Sequence, residues 1–219
     1  MKRDEVDINK LAKAYLLAKK YVINNGYSGE IDWQESICFK SVDYQYFLKE
    51  YAWVVIASGL SDKVVSKVFP KIQAICGNWD DLNLIEKNYD RIKKNALLVF
   101  NNELKINAIL KTSVFVNKKG FGQIKQNILT KGISYLRSFS FIGEATSYHL
   151  AKNIGLSFAK PDRHLLRISR SIGFESPFDL CQTLSEFISE KIEVVDLVIW
   201  RYATLDKNYS NKLNQLFTN

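Results

Sequence analysis

Apolar residues recur every three to four positions along most of the chain, the period that turns one face of an α-helix inward. The pattern is plain in "INKLAKAYLLAKKYVI" (8–23), "YQYFLKEYAWVVIASGL" (44–60), "SDKVVSKVFPKIQAI" (61–75), "DDLNLIEKNYDRIKKNALLVFNNELKINAIL" (80–110) and "GQIKQNILTKGISYLRSF" (122–139). It continues in "ATSYHLAKNIG" (145–155), "DRHLLRISRSIG" (162–173), "SPFDLCQTLSEFISE" (176–190) and "IEVVDLVIWRYAT" (192–204). No stretch shows the sustained alternation of a half-buried strand. Breakers are sparse, with three prolines and ten glycines. The spacing therefore predicts an all-α fold. Ser61 and Asp162 read as N-caps, and Gly155 and Gly173 stand where helices stop in a left-handed residue. No repeat, low-complexity tract or flexible linker interrupts the run, so any domain division falls between packed helices.

Composition narrows the class. A hydrophobic content of 47% and an aromatic content of 13% exclude disorder, and 219 residues can bury one core or two small ones sharing a cleft. There is no run of 18 apolar residues, and "MKRDEVDINK" lacks the apolar stretch that follows the basic start of a secretion signal. The expected location is therefore cytoplasmic, at the nucleoid in a bacterium. Cys38, Cys76 and Cys181 are odd in number and far apart, which suits neither a disulfide framework nor a local metal motif. They read as buried thiols.

Charge changes the picture once it is located. Residues 101–173 carry twelve Lys and Arg against three Asp and Glu, a net +9, whereas residues 1–100 net +2 and residues 174–219 net −3. Such a concentration suits phosphate binding, because each neutralised phosphate releases condensed counterions. Nucleic acid is the first partner to consider. A membrane surface would call for one amphipathic basic helix, and here the cations spread over several segments.

The chemistry gathers in residues 124–173. A helix ending near "YLRSF" meets another beginning near "EATSYHLAKNIG", and "SFIG" (140–143) joins them in a tight hairpin. Ser140 to Gly143 would then offer backbone N–H groups at a helix start, where unsatisfied donors and the helix dipole attract an anion such as a DNA phosphate. An ordinary hairpin within a helical core has the same spacing. Asp162, in "AKPDRHLLRI", follows Ala145 by seventeen residues. Pro161 biases Lys160 towards extended backbone, and Asp162 opens the next helix. It is either a cap alone or a carboxylate kept ionised by dipole and cations, able to orient water or stabilise positive charge.

A hairpin glycine followed by Thr146, with an Asp heading another helix in a "PDRH…R" context, resembles the helix-hairpin-helix DNA glycosylase superfamily of endonuclease III and the 3-methyladenine glycosylases. The likeness extends to "EYAWVVIASGLSDKVVSKVFPKI" and "NELKINAIL", and covers residues 45–174. It implies an all-α, two-lobed fold with its active-site cleft between the lobes. A helical barrel over 45–156 would carry the hairpin, and 1–44 with 157–219 would form the second lobe. It further implies a partner, double-stranded DNA containing a damaged base, and an extruded nucleotide whose N-glycosidic bond is cut with help from Asp162. Ile142, Gly143, Ala145, Thr146, Lys160, Arg163 and His164 would contact DNA.

Departures from the family pattern carry information. Bifunctional members place a lysine nucleophile where this chain has Ala145, so the expected enzyme is monofunctional, without strand cleavage, its Asp162 aligning water against an oxocarbenium-like sugar. The usual first hairpin glycine is Phe141. The clustered cysteines of an iron–sulfur centre and the Cys/His pairs of a zinc site are missing, so no cofactor and no metal is expected. Gly59 stands where endonuclease III has a gap-filling Gln. Trp53 and Tyr148 could wall a base pocket, against a reading as core. His149 reads as core, and Lys118, Lys119 and Lys125 as phosphate contacts or plain surface. The function implied is removal of a damaged base, an alkylated purine above all, in base-excision repair. The rivals are a non-catalytic, structure-specific DNA-binding protein and a helical scaffold for protein partners.

Overall fold

The computed structural model describes residues 6–209 and Lys212, and among these there is no strand. The helices are α1 (Ile8–Val22), α2 (Ser28–Ser36), α3 (Tyr44–Ala57), α4 (Asp62–Ile75), α5 (Leu82–Lys87), α6 (Tyr89–Val99) and α7 (Glu103–Lys119). They continue with α8 (Phe121–Lys131), α9 (Ile133–Leu136), α10 (Glu144–Asn153), α11 (Arg163–Ser171), α12 (Pro177–Ile188) and α13 (Ile192–Leu205). None of them is long and apolar enough to cross a membrane. The chain divides into two compact units, one of residues 39–154 and one of 1–38 with 155–219.

In the unit of residues 39–154, α3 lies at the centre and packs on α4, α7 and α10. Phe47, Leu48, Tyr51, Ala52, Val54, Val55 and Ile56 are wholly buried, so α3 is apolar nearly all round. Its C-terminal carbonyls, which no helical amide reaches, are taken by a side chain. The Lys105 ammonium donates to Ile56 O at 3.0 Å and Ser58 O at 2.6 Å. Phe39 and Val42 are buried in the same unit, and Lys125 Nζ holds the carbonyls of Lys40 and Val42 at 2.7 and 2.8 Å. The continuous pattern over 80–110 breaks into α5, α6 and the start of α7. Asp81 and Asn102 supply new caps, accepting from Asn83 N at 2.8 Å and from Lys105 N at 3.1 Å.

In the other unit α13 is the core element, packed against α1, α2, α11 and α12. The run Val194, Val195, Leu197, Val198 and Ile199 is buried against Leu11, Tyr15, Leu165, Ile168, Leu180 and Leu184, each worth roughly 1.5–3 kcal/mol on burial. Arg201 grips Glu30 through two bonds of 2.9 and 2.6 Å and stacks over Tyr27 at 4.4 Å, which ties α13 to α2. Helix α2 was not legible in the apolar spacing, because it buries only Ile31 and Gln34. Cys76 and Cys181 are buried free thiols, but Cys38 is exposed, at the end of the stretch that follows α2. The thiol of Cys76 is pushed up to about 12 by burial.

Candidate functional site

The hairpin is built on α3. Gly132 (φ 53°, ψ −132°) separates α9 from α8, and α9 ends at Leu136 rather than near Phe139, since the amides of Ser138 and Phe139 bond only three residues back, to Tyr135 O and Leu136 O. The connection to α10 accordingly spans residues 137–143. Buried Phe139 packs on Phe47 and Tyr51, with ring centroids 5.5 and 5.9 Å away, and Ile142 is buried beside the turn. Tyr51 donates its hydroxyl to Ser140 O at 2.9 Å. At the far end of α10, Tyr46 donates to Asn153 O at 3.2 Å, and Asn153 Nδ2 donates to Glu50 Oε2 at 2.9 Å. Side chains of one helix thus fix the turn that leads into the hairpin's second helix and the far end of that helix.

Two of the amides expected to face an anion are already used. Gly143 N donates to Thr146 Oγ1 at 2.7 Å, half of a capping box, and Ile142 N donates to Phe139 O at 3.1 Å. Among the described residues no acceptor takes the amides of Phe141, Glu144 or Ala145. The donors open to a ligand therefore sit on either side of Gly143 rather than at it. Phe141 is in the left-handed region at φ 63° with its ring 41% exposed, a conformation that costs a non-glycine residue about 1–2 kcal/mol. A glycine would adopt it freely, as the resemblance places there.

Asp162 lies in the other unit. Pro161 and the extended backbone at Asp162 (φ −88°, ψ 170°) bring its carboxylate over the first turn of α11, where Oδ1 accepts from His164 N at 2.8 Å and Leu165 N at 2.9 Å. Among the described residues Oδ2 accepts no hydrogen bond. The preceding loop is pinned from α13, where buried Asp196 accepts from Lys160 N at 2.6 Å. Beyond the cap, Arg163 Nε meets His164 Nε2 at 3.3 Å, His164 Nδ1 meets Tyr209 Oη at 3.3 Å, and Arg167 Nη1 meets the same oxygen at 3.2 Å. Burial lowers the His164 pKa, with Arg163 and Arg167 adding to the effect and Asp162 opposing it. The imidazole is therefore held towards its neutral form.

The structure gathers Asp162, Arg163 and His164 with Arg167 and Tyr209, and keeps Lys160 in the adjoining loop. Ile142, Gly143, Ala145 and Thr146 gather around the hairpin turn in the unit of residues 39–154. Trp53 is half-buried with its ring edge on Phe69, centroids 5.0 Å apart, and Tyr148 and His149 are half-buried on α10. The lysines before the hairpin are engaged within the chain. Lys118 pairs with Glu86 at 2.9 Å, Lys119 lies over the Phe115 ring, and Lys125 caps the 40–42 turn, so Lys125 is a structural staple. Gly59, at φ 76°, follows α3 in an exposed turn. Among the described residues no three His, Cys, Asp or Glu side chains are placed to hold a metal ion.

Sequence reasoning missed Asp196 and Tyr209. The one acidic residue in the middle of "VVDLV" was a usable signal, since a carboxylate inside an apolar run needs a buried partner. Nothing marked Tyr209. No protein-family model matches the chain, and neither does any curated protein or solved structure.

Proposed function

We propose that the chain is a monofunctional DNA glycosylase, hydrolysing the N-glycosidic bond of a damaged base extruded from duplex DNA, with an alkylated purine the favoured substrate. The observation that carries the reading is Asp162. One carboxylate oxygen is spent on two helix-start amides and the other is open, in a setting with Arg163, His164 and Arg167 close by. The two amide bonds hold the group oriented. The open oxygen can align a water or face the positive charge that grows on the sugar as the bond breaks. The left-handed turn at Phe141 supports the hairpin half of the reading, with the amides flanking Gly143 as donors to a backbone phosphate. Ala145 has no amine, so no Schiff base forms and the product is an intact strand with an abasic site.

The test is single-turnover base release from a panel of duplexes carrying alkylated, oxidised and deaminated bases. Asp162→Asn keeps an oxygen for the cap amides but removes the charge, so its excision rate should fall by about a thousandfold with duplex affinity retained. Strand breaks should appear only after alkali, and borohydride should trap no covalent complex. Affinity for duplex without release of any base from the panel would leave the non-catalytic DNA-binding reading in its place.

A further inference from the structure

The geometry points to a binding site for one phosphate group on the outer face of α11, formed by Arg163, His164 and Arg167 and held in place by Tyr209. Helix α11 divides sharply: Leu165, Ile168 and Ser169 are buried, while Arg163, Arg167 and Arg170 are exposed. Arg163 and Arg167 are four residues apart and so rise from the same flank. Most charged pairs in the molecule are conventional, as in Lys93 with Glu103 or Arg201 with Glu30. Here no Asp or Glu among the described residues forms an ion pair with either arginine, and the contacts that fix them go to neutral groups.

The proton positions follow from chemistry. An arginine Nε–H can only donate, so His164 Nε2 is the acceptor and carries no hydrogen. The neutral ring then bears its hydrogen on Nδ1, which donates to Tyr209 Oη. That oxygen also accepts from Arg167 Nη1 and is saturated as an acceptor. Tyr209 is 3% exposed, so the anchor is rigid, and neither arginine uses up more than one of its five donors in these bonds. Two guanidinium groups held close by neutral contacts repel each other. A phosphate oxygen cluster removes the repulsion and takes their remaining donors in the bidentate geometry arginine favours.

The phosphate class is shared by a nucleic-acid backbone and by free phosphate. The charge concentration of residues 101–173 favours the backbone, and in that form the inference rests on the function proposed above. Its anion chemistry does not. The chain has two histidines, His149 and His164, in different units, so each reports on one unit and His149 serves as an internal control.

The experiment follows the imidazole NMR signals of the full chain, assigned with His149→Gln, during titration with inorganic phosphate and separately with an undamaged duplex. Phosphate should shift the His164 signals saturably and raise its titration midpoint, leaving His149 in place. Arg167→Gln, at an exposed position, and Tyr209→Phe, which keeps the ring and loses the hydroxyl, should each weaken the phosphate affinity about tenfold. With duplex, Arg167→Gln should also reduce the slope of log affinity against log salt by about one, a readout that a loss of stability does not produce. His164 signals that ignore phosphate, or that respond equally in Arg167→Gln, overturn the site. A response to phosphate with none to duplex overturns the backbone assignment. Asp162→Asn, which should lose base release, should keep the His164 response to inorganic phosphate, so the phosphate site and the Asp162 chemistry can fail independently.

Discussion

Glu50 is a carboxylate buried without a strong counter-charge, and the fold should register its ionisation. It is 5% exposed on α3, with Asn153 Nδ2 at 2.9 Å from one oxygen and only the partly exposed Lys49, at 3.9 Å, near the other. Burial pushes its pKa from 4.5 up to about 6, against the smaller downward pulls of Lys49 and Asn153. A carboxyl whose pKa is raised on folding favours the folded state while protonated. Its contribution is therefore complete below 4.5 and is lost as pH rises through about 6. The shift corresponds to about 2 kcal/mol. Glu50→Gln removes the charge and keeps an oxygen for Asn153. Relative to wild type, the variant should gain about 2 kcal/mol between about pH 4 and about pH 7.5, or roughly 4–8 °C in Tm for a chain of this size. Denaturant unfolding of the full chain at both pH values reads the difference. The comparison at low pH absorbs any cost of the new amide hydrogens, which have no designed partner. A Glu50→Gln effect identical at the two pH values would refute the burial argument. It would mean that water or another cation already solvates the ionised group.

Two further outcomes follow from the hairpin unit. Lys105→Met should lower stability by about 2 kcal/mol in denaturant melts, because the carbonyls of Ile56, in α3, and Ser58, just after it, lose a charge-assisted donor at 3.0 and 2.6 Å. Phe141→Gly should raise stability by up to about 1 kcal/mol, since the relief of left-handed strain exceeds the cost of a freer unfolded chain and the exposed ring buries little. A drop in stability at Phe141→Gly would show that the ring contributes packing.

The candidate site was legible in part, and the division has a physical basis. Asp162 was readable as a cap because capping depends on residues two and three positions away, and the amides of His164 and Leu165 are bound as the local pattern requires. The hairpin was readable in kind but not in detail. Its connection starts earlier because the bonding changes to three-residue turns after Leu136, and two of its amides are occupied through Thr146 Oγ1 and Phe139 O. Lys125 looked like a free basic residue, since nothing local shows that the carbonyls of Lys40 and Val42 come within reach.

By itself the sequence determined the helical class, most helix limits, the positive middle third and the capping role of Asp162. These depend on spacing, on counts and on neighbours within a turn, all of which are written in order along the chain. Only the tertiary structure decided that Tyr209 meets His164 and Arg167, that Asp196 pins Lys160, and that Glu50 is buried against Asn153. Those pairs lie tens of residues apart, and packing alone brings them together. Their hydrogen bonds and desolvation arise from the environment that results rather than from any local signal.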